Sequence, residues 1–321
     1  MAERVRVAVL LSGTGTNMAA LLYAAKADDC PFAIALVASN NPDAGGLKLA
    51  VAEGIATFAL PHKGMARADH DAAMHEAIIA SGAQYVALAG YMRILTPEFV
   101  AKWDGRMLNI HPSLLPLYKG LHTHQRALDA GDRQGGCSVH LVTADLDDGP
   151  VLGQTHVAIL PGDTSDTLAA RVLIAEHQLY SRTLANYVSR QNDPAWIEAQ
   201  VAGRALALPE TSFRTAHGSP AWRVGGDKSG KFFAIFFDRH HGEDAVGILV
   251  KTSGEDEMAS LIDAEPDIYF RPAYYGASGW IGIRLDRPGV DWDHVGQWLG
   301  RSWRASAPKK LTRLMDMADT F

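Results

Sequence analysis

Residues 5–17 read V-R-V-A-V-L-L-S-G-T-G-T-N. Val5 to Leu11 form a nearly continuous apolar run rich in β-branched side chains, the pattern of a parallel strand buried on both faces. A glycine-rich turn follows, and from Asn17 to Ala27 the apolar residues recur at helical spacing. Strand, glycine turn and helix together open a doubly wound α/β sheet.

The same alternation continues outward from this unit. Phe32–Ala38, Tyr85–Ala89 and Met107–Ile110 read as strands. Gly45–Glu53, Asp69–Ser81 and Pro97–Lys102 read as helices, the last with proline at its start. Val139–Val142 and Val151–Val157 are later strands, open to antiparallel pairing. Asp166–Asn186 is a long helix opened by Asp163-Thr164-Ser165. The fold class is therefore α/β, a doubly wound and mostly parallel sheet over residues 1–190. After Asn186 the pattern changes. Ser189–Pro194 is polar and ends in proline, as a linker does. Trp196–Leu206 begins a second domain, residues 191–321, with strands at Phe232–Phe237, Ala245–Lys251 and Trp280–Leu285 and helices at Glu255–Ala264 and Asp293–Arg304. Six of the seven tryptophans follow the linker, so this is a small α+β domain with its own core and no extension of the first sheet.

Length and composition agree. At 321 residues, 47% hydrophobic and 21% charged, the chain has room for two globular domains. A net charge of −6 provides no global field for nucleic acid or anionic lipid. No stretch approaches a membrane span, and the N-terminal apolar run is too short for a signal peptide. Cys30 and Cys137 lack C-x-x-C spacing and fit reduced packing residues of a cytoplasmic protein.

The turn Ser12-Gly13-Thr14-Gly15-Thr16-Asn17 lets backbone N–H groups approach an anion at a helix N-terminus. A dinucleotide fingerprint would require glycine at position 18, where Met18 stands, and the second strand runs into Ser39-Asn40-Asn41 without an acidic residue. One phosphate on a smaller ligand fits better than NAD, and a plain capped turn remains the alternative. Further on, Asn109 and His111 stand two apart at the end of a strand and share one face. Asp145-Leu146-Asp147-Asp148-Gly149-Pro150 is an acidic turn after a later strand. A carboxamide donor, an imidazole and a carboxylate suit acyl transfer by direct attack of a substrate amine. By this reading the carboxylate raises the imidazole pKa.

The strings N-I-H-P-S-L-L-P (109–116) and K-G-L-H-T-H-Q-R-A-L (119–128), with S-G-T-G-T-N, L-A-G-Y-M-R-I-L and D-L-D-D-G-P in order, resemble the phosphoribosylglycinamide formyltransferases over residues 4–190. The resemblance implies transfer of a formyl group from 10-formyltetrahydrofolate, as co-substrate, to the amine of glycinamide ribonucleotide in purine biosynthesis. It implies that Gly15, Thr16 and Asn17 hold the ribonucleotide phosphate and that Glu176 binds the glycinamide portion. Met92, Arg93, Ile94 and Leu95 would form part of the folate pocket, with Arg67 contributing to the folate or substrate site. Asn109 would contact the formyl oxygen, His111 would be the general acid/base, and Asp147 would tune it. No metal is implied, and His122 and His124, read as lying in a loop, shape the pocket. Membrane and nucleic acid are not expected partners; the oligomeric state is open. Formyltetrahydrofolate deformylase, methionyl-tRNA formyltransferase and a non-catalytic nucleotide- or folate-binding regulator are the alternatives.

A-L-A-L-P-E-T, S-P-A-W-R-V and P-D-I-Y-F-R-P-A-Y-Y-G-A-S-G-W-I-G-I-R-L-D resemble the YjbR/MmcQ-like family over residues 200–312. Residues 193–321 hold 15 Lys+Arg and 18 Asp+Glu, a balance of −3 that argues against DNA binding. Trp222, Tyr274, Tyr275 and Trp280 read as aromatic core.

Overall fold

The computed structural model describes residues 4–226, 230–239, 244–287 and 290–318. The chain divides into two compact units, Met1–Ser189 and Arg190–Phe321.

The first unit runs β1 (Val5–Leu11), α1 (Thr16–Ala24), β2 (Phe32–Ser39), α2 (Gly45–Ala52), β3 (Thr57–Ala59), α3 (Arg67–Ala80), β4 (Tyr85–Leu88) and α4 (Pro97–Lys102). It continues with β5 (Met107–His111), α5 (Thr123–Asp129), β6 (Gln134–Leu141), β7 (Val151–Ala158) and α6 (Ser165–Ser189). The sheet order is β3-β2-β1-β4-β5-β6-β7. The strands from β3 to β5 are parallel, whereas β6 is antiparallel to β5 and β7 to β6. Val5, Val7, Val9 and Leu11 of β1 enter one core, under α1, α2 and α6, and Ala8 and Leu10 enter the other, under α3 and α4. Both faces of β1 are thus apolar, which explains its uninterrupted hydrophobic run. The chain leaves β1 toward β2 and later returns to β4 on the other side. This reversal opens a crevice at the C-terminal ends of β1 and β4, where such sheets bind ligands. Gly15 caps α1 with φ 79°, and a Cβ there would lie 2.6 Å from the Gly46 Cα. Glycine is required at this position because the turn is left-handed and backbone passes against backbone.

The second unit holds α7 (Pro194–Leu206), β8 (Thr211–Ala216), β9 (Ser219–Val224), β10 (Lys231–Asp238), β11 (Val246–Lys251), α8 (Glu255–Ala264) and β12 (Tyr269–Phe270). It ends with β13 (Trp280–Arg284), α9 (Trp292–Ser306) and α10 (Lys309–Ala318). Its antiparallel sheet has the order β12-β13-β11-β10-β9-β8. Ile197 and Val201 of α7 and Trp298, Leu299 and Trp303 of α9 form its core with the sheet. The α/β and α+β classes expected from sequence are both found. Among the described residues no helix is long and apolar enough to cross a membrane.

Three local expectations need correction. Ser189–Pro194 is no extended linker: Ser189 ends α6, Arg190–Asn192 form a 3-10 turn, and Asp193 caps α7 by accepting from the Ala195 amide at 3.0 Å. Aspartate followed by proline is a helix-start signal, and it outweighs the linker-like polarity. His124 lies within α5, which His122 caps with a left-handed backbone (φ 58°). Tyr274 is exposed, whereas Trp222 and Trp280 are buried.

Candidate active site

β5 and β6 pair so that Asn109 stands opposite His140 and His111 opposite Ser138. The turn after β6 brings Asp147 to the same edge. The result is a compact polar cluster. His111 Nδ1 lies 3.4 Å from Asp147 Oδ2, and His140 Nε2 lies 3.5 Å from Asp147 Oδ1. His140 Nε2 is 3.1 Å from Asn109 Nδ2. His111 Nε2–H donates to the Tyr118 carbonyl at 3.0 Å, and the Gly120 amide donates to Asp147 Oδ2 at 2.9 Å. His111, His140 and Asp147 are all buried.

Left-handed backbone at Tyr118, His122 and Asp147 accounts for three of the six non-glycine cases among the described residues. All three lie in the loops around His111, where such conformations aim a carbonyl or carboxylate inward. Lys119 pairs with Asp148, and the Arg126 guanidinium donates to the Lys119 carbonyl at 2.6 Å. These contacts tie the loop after His111 to the acidic turn and to α5.

Burial pushes the His111 imidazole below its ordinary value. The Tyr118 carbonyl and the Asp147 charge push it up, but together they do not offset burial. The net direction is opposite to the raised value the sequence suggested. Burial also acts on Asp147, tending to raise its carboxyl. The close His140 ring, the hydrogen bond from the Gly120 amide and the nearby His111 ring outweigh burial and hold the carboxyl below its usual range. A carboxylate therefore faces an imidazole that is largely neutral near pH 7.

In the crevice, Asn17 Nδ2 donates to Glu176 Oε2 at 2.7 Å, joining the start of α1 to α6. Burial raises the Glu176 carboxyl above its usual value, against the Asn17 hydrogen bond. Asn17 Oδ1 is buried without a partner, an acceptor left over at the glycine turn. The Met92 amide donates to Ser12 Oγ at 2.8 Å, and Ser12 Oγ donates to Asn40 Oδ1 at 2.6 Å. Ser12 thus couples the glycine turn to the segment after β4. In that segment Met92 and Ile94 are exposed despite being apolar, at 67% and 61%. Arg93 instead turns its Nε toward the buried Asp71 carboxylate at 3.6 Å, and Leu95 packs against the α3–α4 core. Arg67 is exposed in the first turn of α3.

The sequence reading missed His140 and Asp71, and it gave the Ser12 side chain no role within the glycine turn. The polar alternation Ser138-Val139-His140 marks His140 as facing one side of its strand. Only the β5–β6 register shows that this side is shared with Asn109. Cys137 is buried, and burial pushes its thiol up to about 12, which leaves it a packing residue. Among the described residues no group of histidine, cysteine, aspartate or glutamate is arranged to hold a metal.

Comparison with known proteins bears on the whole arrangement. The formyl transferase family matches residues 5–184, more than half of the chain, and the YjbR family matches residues 206–305. Phosphoribosylglycinamide formyltransferase of Escherichia coli is 41% identical over 199 residues, which cover 60% of this chain and 94% of the relative. The trifunctional purine biosynthetic protein adenosine-3 of Drosophila melanogaster is 42% identical over 213 residues. Those residues are 65% of this chain, which spans only 15% of that relative's length. The crystal structure of phosphoribosylglycinamide formyltransferase from Brucella melitensis is 50% identical with a TM-score of 0.56, covering 58% of this chain and 96% of that one. With this match lying over the glycine turn, the β5–β6 cluster and the acidic turn alike, the chain belongs to the formyl transferase family.

Proposed function

We propose that the first unit transfers the formyl group of 10-formyltetrahydrofolate to the amine of glycinamide ribonucleotide, a step of purine biosynthesis. The contact cluster of Asn109, His111, His140 and Asp147 at the strand ends carries this reading. The amine nitrogen attacks the formyl carbon, and a new C–N bond forms as the carbonyl π electrons move to oxygen. An Asn109 N–H stabilises that oxyanion. His111 Nε2–H is committed to the Tyr118 carbonyl, so Nδ1 is the basic edge. Nδ1 takes the amine proton, and the imidazolium that results faces Asp147 at 3.4 Å. The oxyanion electrons re-form the carbonyl as the bond from the formyl carbon to the folate nitrogen breaks, and that nitrogen takes the proton held by the His111 imidazolium. Much of the rate comes from holding the two substrates together.

In this reading Gly15, Thr16 and Asn17 receive the ribonucleotide phosphate at the N-terminus of α1, and Glu176 receives the glycinamide end. The segment 92–95 and Arg67 serve the folate. A cytoplasmic setting fits the two free cysteines. The test mixes the purified protein with 10-formyltetrahydrofolate, with and without glycinamide ribonucleotide, and follows tetrahydrofolate. Product only with the ribonucleotide is expected. Product without it would mean deformylase chemistry, and no product in either case would mean a binding protein.

A further inference from the structure

The mechanism above leaves His140 without a task, although it is among the most buried polar residues in the protein, 2% exposed. Its Nδ1–H donates to the Leu141 carbonyl at 2.7 Å. In a neutral ring this fixes the tautomer and leaves Nε2 as a lone pair. Two groups face that lone pair, Asn109 Nδ2 at 3.1 Å and Asp147 Oδ1 at 3.5 Å. The amide N–H attracts a lone pair and the carboxylate repels it, and only the amide contact has hydrogen-bond length. The Asn109 carboxamide is therefore held from outside the substrate crevice, by a group on the neighbouring strand.

A primary amide carries two N–H bonds that point in different directions. Anchoring one of them aims the other and also stops the group from turning over. An Asn109 that turned over would offer its carbonyl oxygen to a developing oxyanion, which repels it. We propose that His140 is a positioning residue whose unprotonated Nε2 holds the Asn109 carboxamide so that its second N–H meets the formyl oxygen. This inference rests on the formyl-transfer reading for its kinetic consequence, but the tautomer it requires is independent of turnover. His140 also explains why Asn109 belongs on β5 and its anchor on β6: a directly opposed cross-strand pair is the closest approach a sheet offers.

The test has two arms on the full-length protein. Histidine labelled with ¹⁵N reports the ring tautomer of His140, and a single proton on Nδ1 is expected. A proton on Nε2 would overturn the proposal, whatever the protein's activity. Kinetically, His140→Leu removes the acceptor at similar bulk, and His140→Gln returns an acceptor near the Nε2 position. The leucine variant is expected to lose roughly 10- to 100-fold in kcat with little change in KM, less than outright loss of an oxyanion donor. The glutamine variant recovers most of that loss. In an Asn109→Ala background the leucine change costs little more, because the group it acts through is gone. Equal losses in the leucine and glutamine variants, or a full further loss on top of Asn109→Ala, would overturn the role. Thermal melting of each variant separates a loss of kcat from a loss of fold. An inactive wild type refutes formyl transfer while the tautomer still decides for or against His140.

Discussion

His111 stands between a hydrophobic interior that disfavours its charge and a carboxylate that favours it, and burial prevails. The neutral ring therefore persists to lower pH than an ordinary imidazole. The limb of the kcat/KM profile set by His111 is expected below pH ~6.5, the unperturbed imidazole value. Asp147→Asn removes the charge that favours imidazolium, so the limb should move lower still while kcat falls; a pH–rate series on both proteins checks the sign. His111→Ala is expected to reduce kcat by roughly 10²- to 10⁴-fold while ribonucleotide affinity, read by calorimetry, largely survives. Near-normal turnover would remove His111 from the chemistry. At this scale the sequence was informative where chemistry is local. Asn109 and His111 could be put on one face from their spacing alone, and the acidic turn could be seen to carry carboxylates. His140 could not be paired with Asn109, because its partner is set by antiparallel register. The direction of the His111 shift was also hidden, since it depends on how completely the folded chain excludes water around the ring.

At the scale of elements, α6 does more than cover the sheet. Tyr180 lies fully buried on it, and its hydroxyl reaches the Leu88 carbonyl at 3.1 Å and the Leu108 carbonyl at 3.0 Å. One side chain thus links the last residue of β4 to the residue that precedes Asn109 in β5. Tyr180→Phe leaves buried carbonyls without that donor and is expected to cost about 1–2 kcal/mol, measured by urea denaturation. An unchanged midpoint would mean that water replaces the hydroxyl. The buried strands and long helices were legible from periodicity because both faces of β1, or one stripe of α6, are apolar. β3 was not, having only three residues, and α5 was obscured because its cap is a histidine with left-handed backbone. The β8–β9 hairpin escaped because Pro220 and Arg214 interrupt its pattern. Its turn, His217-Gly218, has positive φ at both residues, which the sequence signals only weakly when histidine takes the first position.

At the scale of the molecule, each unit has its own hydrophobic cores. The Escherichia coli relative, 94% of which is matched, consists almost wholly of the first unit's counterpart. Residues 1–189 alone are therefore expected to melt in one cooperative transition and to turn over as the full chain does. A fragment that aggregates or loses activity would show that the second unit supports the first. Two domains were legible from the shift in tryptophan usage, and the units divide at Ser189–Arg190, one residue from the expected boundary, although Asp193-Pro194 serves a helix start. The late position of α6 has a further consequence during synthesis. The face of the sheet that α6 seals, with Val7, Val9, Leu108 and Val139, has no complete cover until residue 189 has cleared the ribosome. A nascent chain paused earlier carries an open greasy surface. Translation of the second unit then keeps the finished first unit tethered at the exit tunnel, giving α6 time to dock before release.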